Sequence, residues 1–441
     1  MTTTPSPLVS PKRAWSMTGL VLFLYVVNYA DKAVLGIIAK PLSEELGLTK
    51  AEIGMIGSLF FVTFTIGGFF AGALNKYLTL RWGLALLAVI WSLTMLPMVI
   101  SGTLAVLVAS RMVLGLFEGP VTSLMHTAAY SWHPLAKRGL PSALLTGAGS
   151  LSKILLAPVL TWITIEFGWR AALLSLAGLG VVWVVCWLIG WQEGPFTRTA
   201  TTADSPVESG QATTWTEPSV PWRTILLNRT FLSCALMTGV VYALTAVVLT
   251  WLPTYFEEGL NFSTLQAGSL FAAPSVVGLI LMLTAGYTTD RLALRGVSTR
   301  IIRVIVPVAG VVLCGVTLIS LPSIKAPIVA VVVLSLGYGL GAIALPLIST
   351  AISSLCPPQQ TAGTMGTFMA LVAVGGLIAP YATGVIVDNA ASAAEGYSQA
   401  FQGVGFLCVA TAIVVLLLAN PERDGQRIRS GAGTATIVRS E

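Results

Sequence analysis

The sequence predicts an all-α membrane protein of twelve transmembrane helices in two pseudo-symmetric six-helix bundles. Three observations carry this. Of the 441 residues, 55% are hydrophobic and only 10% charged, against about one quarter charged in a soluble chain. The apolar residues gather into twelve runs, each near the length a helix needs to cross ~30 Å of hydrocarbon. One polar stretch, 192–228, divides the runs six and six.

The runs are 17–38, 52–75, 82–100, 103–128, 140–165, 169–191, 229–254, 265–288, 301–321, 326–350, 362–386 and 398–419. The tail before the first, MTTTPSPLVSPKRAW, is polar and lacks the architecture of a cleaved signal. The first run is long enough to span a bilayer. Barrel strands would instead alternate over about ten residues. Breaks fall at polar or Pro/Gly clusters such as KPLSEELGLTK (40–50) and CPPQQTAGT (356–364). The stretch 192–228 is rich in Thr, Ser, Pro and acid and reads as a flexible linker. The expected organisation is a tail at 1–16, a bundle at 17–191, the linker at 192–228, a second bundle at 229–419 and a tail at 420–441.

Lys and Arg set the orientation. With the N-terminus in the cytoplasm, most of the 24 basic residues lie inside. The opposite side keeps Lys40, Lys50, Arg170 and Lys325. Both termini are therefore expected to be cytoplasmic and the chain to lie in the plasma membrane. The net charge of +6 is then orientation signal, with no nucleic-acid partner implied. Cys186, Cys234, Cys314, Cys356 and Cys408 have no metal spacing and read as unpaired packing residues.

The halves echo each other. GALNKYLTLR (72–81) follows the second run and GYTTDRLALR (286–295) the eighth. LLAPVLTWI around Pro158 in the fifth run matches LIAPYATGVI around Pro380 in the eleventh. Two similar six-helix halves related by an axis along the membrane normal are a transporter signature.

Four stretches carry a family resemblance over nearly the whole chain: NYADKAVLG (28–36), RMVLGLFEGP (111–120), YSWHPLAKRGLPSALLTGAGSL (130–151) and WLPTYFEEGLNFSTLQAG (251–268). They resemble the major facilitator superfamily and, within it, the anion:cation symporters that carry sugar acids, phthalate and glutamate. The resemblance implies organic anion:proton symport, with Asn28 and Tyr29 as polar substrate contacts. It also has departures. Lys32 stands where the first-helix motif usually has Arg. Lys76 stands where the loop after helix two usually has Asp, while the second copy, Asp290-Arg291, is intact. The cytoplasmic loop gate is therefore expected to rest on Asp290 and Arg291. Ala373 stands where sugar-acid carriers commonly offer Asn, and Lys153 is unusual for the family.

Five charged residues fall inside the runs and away from their ends: Asp31, Lys32, Arg111, Glu118 and Lys153. The bland reading of each is a structural pair or a snorkelling end residue. Charges this deep are by default functional. Asp31 lies about 21 Å along the outward first helix, and Arg111 about 12 Å along the inward fourth. Those depths nearly coincide, so Arg111 is expected to pair with Asp31 as a gate. Glu118 lies ~10 Å further inward on almost the same face, seven residues being ~20° short of two turns. It is expected near the midplane without a fixed partner, where a carboxyl can take up and release a proton. Glu118 and Asp31 are the expected proton-coupling residues, and Gly115 and Gly119 leave room for close helix approach or substrate.

Lys32 and Lys153 then make the cavity cationic, with Lys32 holding the anion as a point charge. The second half offers few polar side chains there: Tyr338, Thr364, Thr367 and Tyr381. Tyr338 and Thr367 are the expected contacts, and the short supply favours an aromatic or weakly hydroxylated carboxylate. His126 is expected to pack and His133 to be solvated in its loop. The sequence holds no phosphate-binding loop, metal cluster, or nucleophile with a base, so neither an enzyme nor a cofactor is expected. The reading is a monomeric secondary transporter that imports an organic anion with protons by alternating access. Loss of the Asp31–Arg111 pair would free charge for the anion at Lys32. A drug/proton antiporter and a non-transporting sensor are the alternatives; the surplus of buried cations argues against cationic drugs.

Overall fold

A computed structural model describes residues 10–70, 74, 77–133, 139–195, 220–298, 300–357 and 360–428. Lys76, the Lys137–Arg138 pair, linker residues 196–219, residues 1–9 and 429–441, and the Asp290 side chain lie outside the described residues. Among those described there is no strand. Twelve helices are long and apolar enough to cross a membrane: α1 (Pro11–Leu46), α2 (Lys50–Gly68), α3 (Leu80–Ile100), α4 (Leu104–Tyr130), α5 (Ala148–Phe167), α6 (Trp169–Gly190), α7 (Arg229–Gly259), α8 (Thr264–Thr289), α9 (Ile301–Ser323), α10 (Pro327–Ser353), α11 (Gly363–Asp388) and α12 (Ala393–Leu418). Each overlies one predicted run.

The boundaries differ where hydropathy and helix formation part company. Most of KPLSEELGLTK is helix, because Leu, Glu and Lys are good helix formers even where the chain becomes polar. α1 stops only at Gly47, in the left-handed conformation (φ 67°), whose N–H returns to the Ser43 carbonyl. Two residues on, Thr49 and Glu52 form a reciprocal capping box that starts α2.

Prolines break several spans by one mechanism. Proline has no N–H for the carbonyl four residues earlier, and it disfavours helix in the residue before it. In α4 the first piece ends at Glu118, just before Gly119-Pro120, and a second runs from Val121 to Tyr130. In α8 the first piece ends at Leu270, four residues before Pro274. In α10 it ends at Ala342, four before Pro346. The fifth run is split at Gly147 into Gly139–Thr146 and α5.

The chain forms two compact units. The first holds α1–α6 together with residues 249–257 and 262–272, the ends of α7 and α8. The second holds 206–248, 258–261 and 273–441. In the first unit α2 packs on α4, α3 on α6 and α1 on α5. In the second, α8 packs on α10 and α9 on α12, and α7 meets α11 where Gly375 stands against the Gly239 carbonyl. Each of these pairings repeats six helices later, which is the internal symmetry the sequence echoes suggested. Within the first unit, Trp183 of α6 donates its indole N–H to the Leu20 carbonyl at 2.8 Å, tying α1 in place.

Candidate substrate and proton site

The site is built on one face of α1. Asn28 and Lys32 are four residues apart and so neighbours on the helix. Lys32 Nζ donates to Asn28 Oδ1 at 2.8 Å. The same ammonium lies 3.2 Å from Glu118 Oε2 on α4, with side-chain exposures of 9% and 0%. It sits over the Tyr29 ring at 4.8 Å and the Phe64 ring at 5.0 Å. Glu118 is thus not the isolated carboxyl expected from depth: Lys32 is its partner. α1 and α4 run in opposite directions, and helical side chains lean toward their own N-terminus. Lys32 and Glu118 therefore lean toward each other and close the gap that the rise per residue leaves between them.

The glycines of RMVLGLFEGP hold α4 against α2. A Cβ on Gly115 would collide with the Phe60 carbonyl and Thr63, and one on Gly119 with the Phe64 carbonyl. From the other side, Gly67 stands against the Leu116 carbonyl. That carbonyl is the one Pro120 cannot bond. Of the two uses expected for these glycines, the structure employs them for close helix approach.

Arg111 is almost fully buried at 1% exposure. It does meet α1 at Asp31, but through the backbone: Arg111 Nη1 donates to the Asp31 carbonyl at 2.8 Å. Among the described residues it makes no ion pair, and Arg111 Nε and Nη2 have no hydrogen-bond partner. This corrects the expected carboxylate–guanidinium gate. Asp31 also lines a cavity of about 10 Å³ with Trp91, Ser92, Met95 and Gly180 of α3 and α6. That is room for about one water. Neighbouring residues on a helix point ~100° apart, so Asp31 and Lys32 serve different walls.

Tyr29 packs on helix five: a Cβ on Gly149 would lie 3.0 Å from its Cε1. Lys153, one turn beyond Gly149, is buried at 5% exposure. Its Nζ lies over the Phe271 ring at 5.2 Å. Phe64 and Phe271 are the site's unforeseen members, and Lys40–Glu257 is a further ion pair of the first unit. Lys40 Nζ meets Glu257 Oε1 at 2.7 Å, and Thr264 donates to the same oxygen at 2.8 Å. A phenylalanine in an apolar helix gives no signal of its own. Glu257 was readable as an acid in the quoted WLPTYFEEGL, and Lys40 as one of few cations on that side.

The remaining candidates have local partners of their own. Tyr338 lies on α10, its ring 3.6 Å from where a Gly278 Cβ would be. The Thr367 hydroxyl donates to its own helix, at the Gly363 carbonyl, 3.0 Å. Arg291 lies over the Tyr287 ring at 4.6 Å. His126 Nδ1 is 2.8 Å from the Thr122 carbonyl. His133 is buried, contrary to expectation. Its Nε2 is 2.8 Å from Thr18 Oγ1, whose own proton goes to the Ala14 carbonyl at 2.9 Å. The hydroxyl therefore accepts from an Nε2–H. All five cysteines are free thiols.

Residues 21–344 match the Major Facilitator Superfamily. A "Probable galactarate/D-glucarate transporter" of Bacillus subtilis (strain 168) is 27% identical over 427 residues, 92% of each chain. The hexuronate transporter of the same organism is 25% identical over 414 residues, 91% of this chain and 94% of that one. The bacterial homolog of the human lysosomal transporter Spinster, inward-facing and unoccupied, has the same fold, with a TM-score of 0.76 at 14% identity over 95% of this chain and 99% of that one. The match covers most of the spans that form the two units. The chain is a multi-pass membrane transporter and belongs to the Major Facilitator Superfamily.

Proposed function

We propose that the protein imports an organic anion together with protons by alternating access. The observation that supports this most is the Lys32–Glu118 contact of 3.2 Å, both groups buried on facing helices. While Glu118 is ionised it occupies Lys32. When Glu118 takes a proton, the ammonium loses its counter-ion and turns to the substrate carboxylate. Proton and anion then favour each other's binding, and the coupling is reciprocal. This replaces loss of an Asp31–Arg111 pair as the step that frees positive charge.

In this reading Asn28 and the Tyr29 ring hold Lys32 in position while its partner changes. Asp31 is a second proton site on the α3–α6 wall, connected to the first through Arg111. Tyr338 and Thr367 contribute from the second unit, and Asp290 with Arg291 forms the cytoplasmic loop gate. The relatives, transporters of galactarate/D-glucarate and of hexuronate by name, support an organic anion. The basic residues of the loops support cytoplasmic termini, and the carrier is read as a monomer in the plasma membrane.

Proteoliposomes test the reading. Wild type should accumulate a carboxylate against its gradient when protons are driven inward. Glu118→Gln should lose that accumulation and keep substrate exchange. Uphill accumulation by Glu118→Gln on a pH gradient would overturn the coupling role.

A further inference from the structure

We infer that the second unit holds a single lipid acyl chain in a groove between α7, α11 and α12. This goes beyond the import reading and does not depend on it.

The groove is a cavity of about 400 Å³, a volume in the range of ligand pockets. All its lining residues belong to the second unit. Every one of them except Thr383 is apolar, and none is charged. An organic anion would find no counter-charge there, so the groove is not a place for the transported solute.

Depth limits what can occupy it. On α11 the lining starts at Leu371, about 12 Å along the helix from Gly363, and ends at Ile386, two residues before the helix stops. On α7 it runs from Ala235 to Ala243, beginning about 9 Å along from Arg229. These depths fall in the part of the spans that crosses ~30 Å of hydrocarbon. Leu236, Val374, Ile378 and Leu407, one or more from each helix, line the groove and are roughly half exposed. The groove is therefore open at its rim, and what surrounds a span at this depth is lipid tail or another span.

Width decides between those two. From Leu371 to Ile386 the helix rises about 22 Å. The cavity volume spread over that length gives a mean cross-section of about 18 Å². A helix is about 10–12 Å across and needs several times that section. One polymethylene chain fits it.

The internal repeat shows how the groove arises. With Pro158 set against Pro380, Lys153 and Leu160 of α5 correspond to Gly375 and Ala382 of α11. Lys153 and Leu160 are buried, at 5% and 3% exposure. The first half thus fills with side chains a face that the second half leaves bare. Gly403 on α12 lines the same groove, and a Cβ there would meet nothing within 4 Å. Helices in a membrane are held together by van der Waals packing, and lining atoms without neighbours forfeit that attraction. A lipid tail supplies the missing contacts.

The test is photo-crosslinking of the purified full chain in phosphatidylcholine vesicles that carry a trace of phosphatidylcholine with a diazirine in one tail. Adducts are mapped by mass spectrometry. Labelling of 371–386 and 400–407 should exceed that of the lipid-exposed face of α9 at Leu313 and Val316 by about fivefold, the ratio for roughly 1 kcal/mol of preference. Ala382→Leu with Gly403→Leu, which fills the groove, should bring the two regions to equal labelling. If that double variant does not fold, Gly403→Leu alone, whose side chain enters open space, carries the same comparison. Equal labelling of groove and α9 in wild type overturns the inference, and so does enrichment that survives the filling substitutions. An unlabelled groove also overturns it, and a dimer on light scattering of that sample would make a second copy the occupant.

Discussion

Lys32 and Glu118 meet at 3.2 Å across α1 and α4, where Glu118 is fully buried and Lys32 keeps only 9% of its side-chain surface exposed. Two opposite charges buried together stabilise each other only as a pair, and removing one leaves the other desolvated and uncompensated. The contact therefore links the folding of the bundle to the chemistry of transport.

Lys32→Gln should destabilise the protein by about 3–5 kcal/mol, the cost of orphaning a buried charge. Glu118→Gln added to it should restore much of that loss. Thermal unfolding of the two singles and the double in one detergent measures the coupling. A double variant no more stable than Lys32→Gln would show that the two groups do not depend on each other.

Gly119→Leu should prevent close approach of α4 to α2, since even a Cβ meets the Phe64 carbonyl and the Gly68 amide. Overpacking costs about 1–3 kcal/mol or more where backbone must move. Yield and monodispersity on size exclusion should fall sharply. Gly286→Leu, at a position with nothing within 4 Å, is the control that should not.

Gly149→Ala is a finer change. Its methyl would press on the Tyr29 ring at 3.0 Å, which can yield by a few tenths of an ångström. Folding should survive, and substrate affinity should fall a few-fold as the ring beneath Lys32 shifts. Binding curves at fixed pH check this.

Lys40 and Glu257 form a partly exposed pair, with side-chain exposures of 33% and 16%. Such pairs are worth about 0–1 kcal/mol, so the melting temperature should barely respond to Lys40→Glu. Transport should respond, because the pair joins α1 to the end of α7 within the first unit. The swap Lys40→Glu with Glu257→Lys should recover uptake that either single reversal loses.

Much of the fold was legible because its signals are local. A span announces itself by hydropathy alone, and a helix break by a proline and the carbonyl four residues before it. Asp31, Lys32, Arg111, Glu118 and Lys153 were also visible, since a charge in an apolar run stands out whatever surrounds it. Their depths could be counted at 1.5 Å per residue, and the count rightly brought Arg111 level with Asp31.

Direction around the helix could not be counted. Asp31 and Lys32 differ by one residue in depth but by ~100° in azimuth, and only packing decides which faces α4. Gly115, Gly119 and Gly67 draw α4 onto α2, and Gly149 seats Tyr29 against α5. Trp183 fixes α1 to α6. With those contacts in place Lys32 meets Glu118, Asp31 borders the cavity beside α3 and α6, and Arg111 hydrogen-bonds α1 at the Asp31 carbonyl. The sequence by itself determined how many helices cross the membrane and which of their residues carry buried charge. The tertiary structure alone decided which charge meets which, because a helix's rotation about its own axis is set by its neighbours.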